Sequence, residues 1–237
     1  MALIIPPRLR CFTEAWRIAN SARGGGASLT GQQQFVVSPA GRWEAKMSFH
    51  CVEDDDYLEA DGFIASLDGP ATPFLVGPVD WRGRPWVIHP LSGTALTPAL
   101  IRRNTGDDAA IGVNPDTIGA LSFSLAANVA MNSTALTIQR NLGGALKRGQ
   151  YLQIGERLHI ITGLTTDDPV DPLSGVPIAG QVSVTIRPWT RDAYTAGTPI
   201  EMAAPVGLMR LTAESSAMVE RTTSPLSGLS LDLVEAF

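Results

Sequence analysis

Lysine is almost missing from this 237-residue chain: of 18 basic residues, 16 are arginine and only Lys46 and Lys147 are lysine. Arginine suits planar, bidentate and partly buried contacts, whereas lysine is the better surface solubiliser. Two causes fit the bias, and both can hold: GC-rich codon usage, or a surface given over largely to interfaces. Cysteine is scarce as well. Cys11 and Cys51 are too few for a disulfide framework, and no C-x-x-C metal or redox pair occurs. Both read as small buried hydrophobes. Long apolar runs are absent. The start has only Ala2 to Ile5 before its first proline, unlike a secretory signal. Nothing approaches the roughly 18 apolar residues of a spanning helix. The expectation is a protein assembled in a reducing cytoplasm, with no membrane insertion and no disulfides.

Charge of either sign is modest, with 17% charged residues and a net charge of −5. A general nucleic-acid-binding surface is therefore not expected. The 44% hydrophobic content excludes a disordered chain. Glycine (23) and proline (17) are plentiful but scattered, which excludes collagen and points to many turns. The length allows one large β domain or two small ones, each with its own core.

Alternation dominates what is present. From Arg42 to Cys51 the apolar residues Trp43, Ala45, Met47, Phe49 and Cys51 interleave with polar ones. That is period two, a strand with one buried face. Shorter runs follow at Leu121, Phe123 and Leu125, at Leu136 and Ile138, and at Leu158 and Ile160. Others are Val182, Val184 and Ile186, then Leu229, Leu231 and Leu233. Turn signals such as Asn141–Gly144, Arg148–Gly149 and Asp171–Gly175 separate them. Many short strands punctuated by glycine and proline imply sandwiches or small barrels.

One helix is expected after Asp54, Asp55 and Asp56, which offer N-caps and complement the helix dipole. Tyr57, Ile64 and Leu67 would share its inner face, with Leu58 and Phe63 on the flanks, and Asp68–Pro70 would end it. Six carboxylates lie between Glu53 and Asp61. They read as a solvated helix start and lack the D-x-D-x-D-G spacing of a calcium loop. Asn20–Gln34 reads as a mobile glycine- and glutamine-rich loop, and Arg102–Ile118 as another. No repeat of fixed period is visible. Boundaries are expected near Trp81–Gly93 and near Arg187–Trp189. Residues 91–187 would then form a small inserted barrel, and 1–90 with 188–237 the other domain.

The three histidines, His50, His89 and His159, belong to no H-E-x-x-H or related motif, and no G-x-S-x-G or S-x-x-K set is present. His50 occupies the polar face of its strand; His159 points opposite to Leu158 and Ile160. Cys51 beside His50 faces the other side of the strand, which argues against joint metal ligation. No carboxylate pair stands out for glycoside hydrolysis. Trp43 and Phe49 read as core, while Trp16, Trp81, Trp86 and Trp189 flank loops and domain junctions, where aromatics anchor packing or partner contacts. The expectation is no enzyme: no catalytic, cofactor-binding or metal residues, and no cofactor.

The order of motifs in the second half carries a resemblance. Leu146–Ile161 (LKRGQYLQIGERLHII) looks like the L-x-x-G-D-Y-x-Q-x-G-x-x-L-H-x-V strand pair of long-tailed bacteriophage tail proteins. Val182–Arg191 (VSVTIRPWTR) is similar to that family's L-x-x-x-P-x-L-R strand, and Ala204–Leu211 (APVGLMRL) to x-P-x-G-x-F-R-L. Tyr194–Ile200, Gly228–Phe237, Gly41–Ala45, the helix and Gly69–Gly77 fit the same order. Gln150 departs from the pattern, standing where the family has Asp; an amide there alters a turn contact. The chain thus resembles siphovirus-like distal tail or baseplate ring proteins.

That resemblance implies a mainly β fold: a ring-forming β-sandwich with one α-helix, carrying an inserted, OB-like peripheral β-barrel. It implies a homo-oligomeric ring, in the family usually a hexamer, in the virion's tail tip. The ring would join the tail tube protein to the central baseplate hub, tape-measure protein and adsorption apparatus. It would use heterologous contacts that close by rotation, with sheet-edge pairing between neighbours. A carbohydrate-binding module contacting the host surface through residues 91–187 is the alternative, since OB-like barrels bind sugars in other settings. Fold alone does not transfer that role.

Overall fold

A computed structural model of the chain describes residues 3–6, 8–19, 22–24, 35–37, 41–79, 85, 122–165, 168, 180–219 and 227–237. The first strands are β1 (Leu3–Ile4), β2 (Arg10–Ala19), β3 (Ala22–Gly24), β4 (Phe35–Val37) and β5 (Arg42–Cys51). Helix α1 (Asp54–Ser66) and β6 (Phe74–Val76) follow. Next come β7 (Ser122–Leu125), β8 (Ala135–Leu142), β9 (Tyr151–Ile154), β10 (Arg157–Leu164), β11 (Gln181–Arg187) and β12 (Pro199–Glu201). The last strands are β13 (Gly207–Leu211), β14 (Ala217–Val219) and β15 (Ser227–Glu235). The protein is mainly β, with one α-helix among the described residues. No helix among them is long and apolar enough to cross a membrane.

The chain divides into two compact units, residues 1–79 with 207–237, and residues 80–206. The first unit is a seven-stranded sheet in the order β1-β6-β13-β15-β5-β2, with β14 also on β15. Strands from both ends of the chain therefore interleave in one sheet. Its spine is the long antiparallel pairing of β15 and β5, which sets Leu229, Leu231 and Leu233 opposite Phe49, Met47 and Ala45. All six are buried, as period-two alternation demands of a half-covered sheet. Strands β3 and β4 pair with each other as a two-stranded ribbon. Ala22–Gly24, expected within a mobile loop, is thus strand; residues 25–34 of that expectation lie outside the described residues.

Helix α1 covers the apolar face through Ala60, Phe63 and Leu67, an i, i+3, i+7 stripe. Phe63 meets Phe74 of β6 edge-on, with ring centroids 5.3 Å apart. The expected inner face is rotated: Tyr57 and Ile64 are half-buried and Leu58 is exposed. Glu53 is the N-cap residue instead of one of the three following aspartates. The end comes where expected, since Asp68 (φ 48°) and Gly69 (φ 64°) adopt left-handed backbone.

The second unit is a closed barrel of six strands, β10-β11-β8-β7-β12-β9. Its interior is filled by alternating residues, among them Phe123, Leu125, Leu136, Ile138, Val182, Val184 and Ile186. Leu121 and Arg102–Ile118 lie outside the described residues. Gly155 (φ 61°) opens the two-residue turn between β9 and β10, where a side chain would be strained.

Two expectations change here. On β10, Leu158 pairs with Gln153 while His159 pairs with Leu152, so His159 and Ile161 share the inner face and Ile160 points outward. The boundaries also move, from 90/91 and 187/188 to 79/80 and 206/207. The reason for the second shift is β12, which pairs with both β7 and β9 and closes the barrel. Residues 188–206 therefore belong to the barrel unit.

Candidate interaction surface

The histidines and cysteines do not converge. His50 lies on the outer face of the sheet, stacked on Phe12 with ring centroids 3.9 Å apart. His159 is buried, its Nδ1 2.9 Å from the Pro188 carbonyl oxygen. His89, Trp81 and Trp86 lie outside the described residues. Both thiols are free. Burial, helped by the Glu14 carboxylate, pushes Cys11 up to about 11, and burial raises Cys51 too. Among the described residues no group of three or more His, Cys, Asp or Glu is placed to hold a metal ion.

The acidic cluster holds its own segment in place. The Asp56 carboxylate accepts backbone N–H bonds from Val52 and Glu53, each 3.1 Å. Arg8 reaches across to Glu53 (2.8 Å), Asp55 (3.2 Å) and Asp56 (3.5 Å), tying the entry to β2 onto the helix start. The two backbone bonds and then Arg8 hold Asp56 below the usual carboxylate range.

On the barrel, a shallow cleft of about 330 Å³ is lined by Ser122, Gln153, Pro199 and Glu201 among others. Its longer polar side chains are already engaged. Gln153 accepts from Val206 N–H (2.8 Å) and donates to the Gly155 carbonyl (2.6 Å). Glu201 accepts from Ala203 and Ala204. Elsewhere Gln150 accepts from the Lys147 N–H (2.9 Å) in the turn that leads into β9. A buried ion pair joins Arg140 of β8 to Asp168, whose carboxylate also accepts the Leu146 N–H at 2.7 Å.

The outer face of the seven-stranded sheet and its β2 edge carry exposed polar side chains. Pairing places Arg17, Glu44 and Val234 in one row and Ala15, Lys46 and Asp232 in the next. Arg17 bonds Glu44 at 2.6 Å, Arg42 lies 3.7 Å from the same carboxylate, and Lys46 lies 3.6 Å from Asp232. A cleft of about 580 Å³ runs along this face past Arg42, Glu44, Arg210 and Glu214. Another of about 450 Å³ crosses the sheet over Ala15. At the edge, β2 has ten residues and no partner on its outer side among the described residues. It carries a bulge between Cys11 and Thr13 that turns Phe12 outward onto His50.

Trp16 packs edge-on to Trp43 at 6.0 Å and donates its indole N–H to Glu14 (3.0 Å), which also accepts from Val79. An edge unpaired among the described residues, the exposed Phe12 and mixed charge are features of a surface that meets another chain. The bulge hid β2 from the sequence: it shifts the alternation by one residue, so Cys11, Glu14, Trp16 and Ile18 do not read as one stripe.

The class of protein these features define is a two-unit, mainly β chain with a closed six-stranded barrel and a sheet whose β2 edge is unpaired among the described residues. No protein-family model and no curated protein matches it.

Proposed function

We propose that this chain is a structural ring subunit of the tail tip or baseplate of a long-tailed bacteriophage. In this reading the sheet unit with its helix is the ring-forming β-sandwich and the barrel is an OB-like peripheral domain. Copies assemble in the host cytoplasm into a virion ring, six to a turn. The ring joins the tail tube to the hub, the tape-measure protein and the adsorption apparatus. The chain acts by contact and carries no catalytic site.

The observation that carries the reading is the chain plan. Both ends of the chain interleave in one sheet under a single helix, and a closed barrel is inserted between β6 and β13. The motif order seen in the sequence has the same plan. The outer edge of β2, ten residues long and unpaired among the described residues, offers backbone that ring closure would cover.

Two measurements test it together. Light scattering is expected to give a discrete particle of six subunit masses, and mass spectrometry of purified tails is expected to find the chain. A protein that is strictly monomeric and also missing from tails overturns the reading. Strong binding of residues 80–206 to a glycan array would instead favour the carbohydrate-binding alternative.

A further inference from the structure

We draw no further inference here: the strongest candidate, the cleft of about 640 Å³ where Arg10 and His50 of the outer sheet face meet Glu53 and Asp56 at the start of α1, holds carboxylates already paired by Arg8, and nothing in the structure shows what would occupy it.

Discussion

Cys11 illustrates how burial sets reactivity at a single atom. Its thiol is pushed up to about 11, first by desolvation and then by Glu14, and it donates to the Thr13 carbonyl at 3.3 Å. Only the thiolate alkylates, so labelling of native protein at neutral pH is expected to be slow and to rise about tenfold per pH unit below that value. Rapid labelling of Cys11 by iodoacetamide at pH near 7 would contradict this environment. The Arg140 and Asp168 pair is a second case, with side chains 7% and 0% exposed. Arg140→Ala would strand the Asp168 carboxylate with the Leu146 N–H, at an expected cost of about 3–5 kcal/mol in urea unfolding. The double change Arg140→Met with Asp168→Leu is expected to cost less, because it removes both charges. The sequence showed neither effect. Residues 140 and 168 are separated in sequence by two strands, β9 and β10, and their meeting depends on the pairing of β8, β11 and β10.

At the scale of elements, α1 begins on a carboxylate with a job. Asp56 is held below its ordinary value by bonds from the Glu53 and Val52 N–H groups and by Arg8. Its contribution is therefore present above the unfolded carboxylate range and is lost as pH falls through the lowered value. Asp56→Ala is expected to lower the melting temperature at neutral pH and to flatten its acid limb. Asp56→Asn, which keeps an acceptor, is expected to retain more. Equal acid limbs for wild type and Asp56→Ala would show that the helix start does not depend on this charge.

Strand β5 and the runs at Leu136, Val182 and Leu229 were legible in the sequence because one face is buried and the alternation is unbroken. Strand β2 was not, since the bulge at Cys11 to Thr13 shifts the phase. Strand β10 was read with its faces exchanged. Leu158, His159 and Ile161 are all nearly buried, so composition alone could not tell the inside of the barrel from the outside.

For the whole molecule, the division at 79/80 and 206/207 has a direct consequence. Among the described residues the barrel core draws on positions between Phe123 and Met202, so residues 80–206 expressed alone are expected to fold with a cooperative, β-type transition. Residues 91–187, the segment suggested by the sequence, would leave out β12 and open the edges of β7 and β9. That shorter piece is expected to aggregate or stay unfolded. If both pieces fold equally well, β12 does not close the barrel in solution.

The arginine bias acquires a location at this scale. Four of the five cations on the outer sheet face, Arg10, Arg17, Arg42 and Arg210, are arginines, and Arg10 shares a cleft with Glu53 and Asp56 at the helix start. What the sequence by itself determined was local: which residues alternate, where the helix starts and ends, and which apolar residues form the core of β5 and most of the barrel. Those follow from period and turn chemistry, which act over a few residues. Tertiary structure alone decided the phase of β2, the inner face of β10, the membership of β12 and the gathering of arginines on the outer sheet face. Each depends on which distant strands pair, and pairing is fixed by closure of the barrel and sheet as wholes.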